Sequence, residues 1–163
     1  MQSTYLLIGG NLGNIEQNMQ TAISLINKHC GVVINKSSLY KTAAWGLTDQ
    51  PDFLNQVLVL ETNLSAQNLM QQLLFIEEQM GRVRTLKMGP RIIDIDILLF
   101  DDLVLNTELL TVPHKALPER KFALMPLAEV AGNIIHPVEK KSIQQLLLNC
   151  KDNLDVHKIS PST

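Results

Sequence analysis

After the turn at Gly89-Pro90, the run Arg91-Ile92-Ile93-Asp94-Ile95-Asp96-Ile97-Leu98-Leu99-Phe100 commits the chain to a strand with two unlike faces. Strand side chains change face at every residue, so Ile93, Ile95 and Ile97 point one way and Asp94 and Asp96 the other. At about 6 Å, two carboxylates repel by roughly 3 kcal/mol in an effective dielectric of about 20. Something cationic must offset that cost. Hard oxygen donors suit Mg²⁺, which binds through one or two carboxylates and completes its shell with water and phosphate oxygens. Asp94 and Asp96 therefore read as a Mg²⁺ platform, against the alternative of an edge strand with a solvated outer face. Arg82, Arg84, Lys87 and Arg91 lie just before or at the start of this run, in a chain whose net charge is only −2. Cations and carboxylates are thus concentrated together without making the protein basic, as polyphosphate with Mg²⁺ requires.

At 163 residues the chain is expected to form one domain over 1–163. Hydrophobic residues at 45% and charged residues at 18% fit a compact fold and offer no broad basic surface for nucleic acid or an anionic membrane. Met1-Gln2-Ser3-Thr4-Tyr5 lacks a basic and apolar leader, and no apolar run reaches membrane length, so a cytoplasmic protein without a membrane partner is expected. Cys30 and Cys150 are far apart in sequence and read as free thiols.

Thr4 to Ile8 is a short β-rich run that stops at Gly9-Gly10-Asn11-Leu12-Gly13-Asn14. Ile15, Met19, Ala22, Ile23 and Ile26 then recur at helical spacing behind an Asn14 cap. This glycine-rich turn lacks the lysine and hydroxyl of a phosphate loop, which leaves phosphate binding and an ordinary turn both open. A second β segment runs from Val32 toward Lys41, followed by a loop, Thr42 to Pro51, that carries the only tryptophan, Trp45. Phe53 to Glu61 is a strand in which Asn55 can donate and accept at a heterocycle edge. Phe53 shares its face and can stack on a flat ring.

Ser65 caps a helix with the stripe Leu69, Leu73, Ile76 and Met80, ending at Gly81; Glu77 on that helix is either a surface charge or a site residue. Residues 82–90 form a basic connector. Leu103-Val104-Leu105 reads as a short return strand, and Thr111-Val112-Pro113-His114 as an extended run ending in a histidine able to donate to phosphate. Phe122 to Val130 permits a short or kinked helix because of Pro126, and Ser142 to Asn149 gives the last helix. The tail over 151–163 is expected to be loosely held. The sum is an α+β sandwich, a mostly antiparallel sheet of four to six strands with helices packed on it.

Lys87-x-Gly89-Pro90-Arg91-x-x-Asp94-Ile95-Asp96-Ile97-Leu98 resembles the signature of the 6-hydroxymethyl-7,8-dihydropterin pyrophosphokinases of folate biosynthesis. The resemblance extends through Ile8 to Gly13, Gln50 to Asn55, Gly81 to Arg84, and Leu110 to His114. It implies a ferredoxin-like αβα fold and transfer of pyrophosphate from ATP to the pterin hydroxymethyl group, releasing AMP.

It also implies roles for individual residues. Asp94 and Asp96 would hold two Mg²⁺ ions, with Arg82, Arg91 and Asp96 catalytic. ATP would meet Glu77, Arg82, Arg84, Arg91, Ile97, Thr111, His114 and Arg120. The pterin would meet Thr42, Ala43, Ala44, Trp45, Gly46, Phe53, Asn55, Asp94 and Phe122, with both phenylalanines sandwiching the ring. The expected partners are ATP and the pterin, and the expected state is a monomer. Three departures accompany the match. Met88 stands where better-known members have tryptophan, the 82–91 segment is one residue shorter, and Leu109 replaces an arginine. Altered ATP affinity or turnover is expected from them.

Two competing readings are a ligand-sensing domain of the same fold without catalysis, and a metal-dependent nuclease. The first leaves the carboxylates and arginines unexplained. The second lacks the basic track that nucleic acid needs.

Overall fold

A computed structural model describes residues 1–43, 50–81 and 91–159. In chain order its elements are β1 (Gln2–Gly10), α1 (Ile15–His29), β2 (Val32–Lys36), β3 (Leu39–Thr42), β4 (Phe53–Thr62), α2 (Ala66–Gln79) and β5 (Asp94–Phe100). A small hairpin, β6 (Leu105–Asn106) with β7 (Thr111–Val112), then precedes α3 (Lys121–Ala131), α4 (Ile143–Asn149) and β8 (Val156–Ile159).

The main sheet runs β5-β1-β4-β3-β8, with β2 also paired to β4, and its named pairings are antiparallel. Alternation along β1 and β4 divides the interior in two. Leu6, Ile8, Leu58 and Leu60 pack with Met19 and Ile26 of α1 and Leu69, Leu73 and Ile76 of α2. Tyr5, Leu7, Val57 and Val59 pack on the opposite face with Leu124 and Leu127 of α3 and Ile143 and Leu146 of α4. Each such side chain contributes roughly 1.5–3 kcal/mol on burial. The result is the expected αβα arrangement.

The expected caps form. Asn14 accepts from the Gln17 N–H at 3.2 Å, and Ser65 from the Asn68 N–H at 3.1 Å. Gly81 leaves α2 with φ of +87°, in the left-handed region where glycine is at no disadvantage. Ile93, Ile95 and Ile97 enter the α1/α2 core. The β1–β5 register then shifts, pairing Leu6 with Ile97 but Tyr5 with Leu99. Leu98 is thereby the extra residue of a bulge, and Leu98 and Leu99 both serve the α3/α4 core. α3 continues through Pro126 for 11 residues, in keeping with a short helix.

Three expectations are corrected. The single β segment from Val32 to Lys41 is two strands, broken where side chains take over the backbone at Ser37 and Ser38. Ser37 Oγ accepts the Val57 N–H at 2.9 Å, and the Ser38 N–H donates to Glu129 on α3 at 2.8 Å. Leu103 and Val104 lie outside the return strand, which begins only at Leu105. The tail is held as far as Ile159. β8 pairs with β3 in the register Thr42 to Val156 through Leu39 to Ile159, and the Asp152 carboxylate accepts the Lys121 N–H at the start of α3 at 3.1 Å. Among the described residues no helix is long and apolar enough to cross a membrane.

Candidate active site

One pocket opens on the α3/α4 side of the sheet, lined by Leu7, Gly9, Thr42, Ala43, Phe53, Asn55, Arg91, Asp94, Asp96, Arg120 and Phe122. Five parts of the fold meet there. β5 supplies Asp94 and Asp96, which share a wall as the period-2 pattern requires, while their isoleucine neighbours fill the core behind them. β4 supplies Phe53 and Asn55, the end of β3 supplies Thr42 and Ala43, β1 supplies the floor, and the start of α3 supplies Arg120 and Phe122.

The floor depends on glycine. A Cβ at Gly9 would collide with the Asn55 side chain and the Leu54 carbonyl, and one at Gly10 with the Ile92 carbonyl. The Gly9-Gly10 pair therefore serves close approach between β1 and the two segments beside it, which favours the ordinary-turn reading over a phosphate cradle. Asn55 is 6% exposed. Its amide faces the pocket and makes no side-chain hydrogen bond among the described residues.

The charges are arranged in pairs. Arg91 donates from Nη1 to Asp94 Oδ2 at 2.9 Å, an ion pair in which both side chains are mostly shielded. The same guanidinium lies 5.3 Å from the Phe53 ring centroid, and that of Arg120 lies 5.8 Å from the Phe122 centroid. His114 is carried toward β5 by its backbone N–H, which donates to the Leu98 carbonyl at 2.9 Å. Its Nδ1 accepts from the Ala116 N–H at 3.2 Å, so the neutral ring carries its proton on Nε2. Burial lowers the His114 pKa, Arg120 lowers it further, and Asp94 opposes both.

Other expected site residues lie elsewhere. Glu77 is buried at 2% exposure, and its Oε2 accepts the Ile95 N–H at 2.7 Å, serving the outer edge of β5. The side chain of Ile97 is turned into the α1/α2 core. The Thr111 hydroxyl donates to Asn106 Oδ1 at 3.0 Å within the small hairpin. Leu109 is exposed near that hairpin's turn. Ala44, Trp45, Gly46, Arg82, Arg84 and Met88 fall outside the described residues. Cys30 is a free thiol pushed up to about 11 by burial, which leaves it inert as a nucleophile.

Sequence reasoning gave no site role to Leu7 or Asn11. Leu7 could have been found from its alternation with Leu6. Asn11 had no local signal, because its partners are 39 to 80 residues away. Among the described residues no group of three or more His, Cys, Asp or Glu could hold a metal. A metal here would rest on the two carboxylates.

The profile of the family described as 7,8-dihydro-6-hydroxymethylpterin-pyrophosphokinase matches residues 5–132. A 2-amino-4-hydroxy-6-hydroxymethyldihydropteridine pyrophosphokinase of Aquifex aeolicus is 40% identical over 146 residues, 89% of this chain and 90% of that protein. A folic acid synthesis protein of Schizosaccharomyces pombe is 42% identical over 88% of this chain, which spans only 20% of that longer protein. The crystal structure of Plasmodium falciparum HPPK-DHPS with pterin and p-hydroxybenzoate superposes with a TM-score of 0.73 at 19% identity, covering 91% of this chain and 41% of that one. That last likeness speaks to the fold.

Proposed function

The chain belongs to the 7,8-dihydro-6-hydroxymethylpterin-pyrophosphokinase family, and from that membership we propose that it transfers pyrophosphate from ATP to the hydroxymethyl group of 6-hydroxymethyl-7,8-dihydropterin, giving the pterin diphosphate and AMP. The observation that carries the proposal is the meeting of two chemistries in one pocket. Asp94, Asp96, Arg91 and Arg120 suit a metal-bound polyphosphate, and Asn55 with Phe53 and Phe122 suits a flat heterocycle.

The pterin hydroxyl is the nucleophile and the β-phosphorus of ATP the electrophile. Phe53 and Phe122 offer ring faces for stacking, and the Asn55 amide supplies both a donor and an acceptor to the heterocycle edge. These contacts fix the hydroxyl's direction, and orientation of this kind supplies a large part of the acceleration in phosphoryl transfer. Arg91 and Arg120 bring positive charge to the phosphates, and His114 donates from Nε2. Two carboxylates on one half-buried wall provide the hard oxygens that Mg²⁺ requires, so Asp94 and Asp96 would hold the two ions. When bound, Mg²⁺ neutralises phosphate charge and lowers the pKa of a coordinated hydroxyl. Asp96 is the carboxylate assigned to that hydroxyl.

The test is incubation with ATP, Mg²⁺ and 6-hydroxymethyl-7,8-dihydropterin, followed by chromatography of the nucleotides. AMP that requires both pterin and Mg²⁺ supports the reading. ADP would mean a single-phosphoryl kinase, and no turnover would return the protein to the ligand-sensing reading.

A further inference from the structure

Asn11 is 3% exposed, and its side-chain amide and backbone N–H bond to two distant segments. Its backbone N–H donates to the Arg91 carbonyl at 3.0 Å, and its Oδ1 accepts the Arg91 N–H at 2.9 Å. Its Nδ2 donates to Gln50 Oε1 and to the Pro51 carbonyl, each at 2.9 Å. The residues before it continue the seam, Gly9 lying against Leu54 and Asn55, and Gly10 against Arg91 and Ile92. Pro51 is two residues from Phe53, and Arg91 three from Asp94. One amide therefore ties the ring-binding segment to the segment that leads into the carboxylates.

We propose that Asn11 is a positioning residue that fixes the spacing between the two halves of the pocket. It touches no reacting atom. It acts through Arg91, whose guanidinium must reach Asp94 and the Phe53 ring together, and through Pro51, which sets the entry of β4. The residue type follows from the chemistry. A side-chain amide presents an acceptor and two donors from one planar group, and aspartate keeps only the acceptor. In the kinetic sense the inference rests on the pyrophosphoryl-transfer reading; the clamp itself does not.

The variants Asn11→Asp and Asn11→Ala separate the two arms. Asn11→Asp keeps the acceptor for Arg91 but sets a carboxylate against the Pro51 carbonyl, which cannot donate. It raises the KM for pterin about tenfold, the scale of losing the two Nδ2 hydrogen bonds to Gln50 and Pro51, while the KM for ATP moves less than about twofold. Asn11→Ala loses both arms, and kcat falls by about tenfold or more. Amide hydrogen exchange, measured without substrate, reads the clamp directly. The Arg91 N–H exchanges about tenfold faster in Asn11→Ala and stays near the wild-type rate in Asn11→Asp.

Specific activity lost only in proportion to unfolded protein, with both KM values unchanged, would mean a merely structural residue and overturn the proposal. An unchanged Arg91 exchange rate in Asn11→Ala would overturn it as well, whatever the kinetics. Should the wild type make no AMP, the transfer reading fails by itself, and the exchange rates still decide the clamp.

Discussion

Arg91 covers the face of Phe53 at 5.3 Å while its Nη1 holds Asp94 at 2.9 Å, so one side chain spans the ring wall and the carboxylate wall of the pocket. Planarity makes this double contact possible. A guanidinium can lie flat on a ring and still present N–H groups at its edge, whereas an ammonium is a point charge without a face.

Arg91→Lys therefore keeps the charge and loses the geometry. A deficit of about 2 kcal/mol is expected, or roughly a thirtyfold fall in kcat/KM, from one charge-assisted hydrogen bond and one cation–π contact. Steady-state kinetics with each substrate varied in turn checks it, and a loss below threefold would contradict the assignment.

Asp96→Asn keeps the shape of the side chain and removes one of the two carboxylates proposed to hold Mg²⁺. Turnover falls by about a hundredfold or more, the scale of losing a preorganised electrostatic group. Calorimetry with a non-hydrolysable ATP analogue, with and without Mg²⁺, reads the origin directly. The Mg²⁺-dependent part of the affinity disappears.

Glu77→Leu removes a buried acceptor and leaves the Ile95 N–H without it at the edge of β5, which costs about 1–3 kcal/mol of stability. Because Ile95 lies between Asp94 and Asp96, kcat declines in protein that is still folded. Denaturant unfolding and kinetics on the same sample test both halves.

Stability falls on the acid side. His114 and His136 both have folded pKa values lowered below 6.5, first by burial. In each, Nδ1 accepts backbone N–H groups, from Ala116 for His114 and from Val138 and Glu139 for His136. Protonation of the unfolded chain begins near pH 6.5 while the folded chain resists it, so the unfolded state binds more protons. The stabilisation is complete above about pH 6.5 and is lost as the pH falls toward the folded values. Melting temperatures from pH 8 to 5 should decline chiefly below 6.5, and His136→Gln should flatten that decline.

Leu109→Arg places a positive charge near the small hairpin, where the sequence resemblance leads one to expect an arginine. ATP-analogue affinity is expected to increase about threefold, the scale of an exposed charge contact. Isothermal titration showing no change would rule out a phosphate contact there.

The strand β5 and its chemistry were legible because alternation is a local, period-2 signal. Asp94 and Asp96 face the pocket, and Ile93, Ile95 and Ile97 face the core, as their positions require. Glu77 was partly legible. It stands four residues after Leu73 on the buried stripe of α2, which foretells burial but not its bond to Ile95. Asn11 and β8 were illegible for a common reason. Their structure is written in partners far along the chain, Arg91 for one and β3 for the other. The break at Ser37 likewise depends on Gln56, Val57 and Glu129, none of them a neighbour in sequence.

The strand β8 also bears on the order of events during synthesis. The pocket wall at Thr42 is completed when Val156 pairs with it and the Asp155 carbonyl accepts its hydroxyl, while β1, far earlier in the chain, lies inside the sheet between β5 and β4. A nascent chain on the ribosome therefore cannot finish that wall until residues 155–159 have emerged, and the pocket stays incomplete on that side until then.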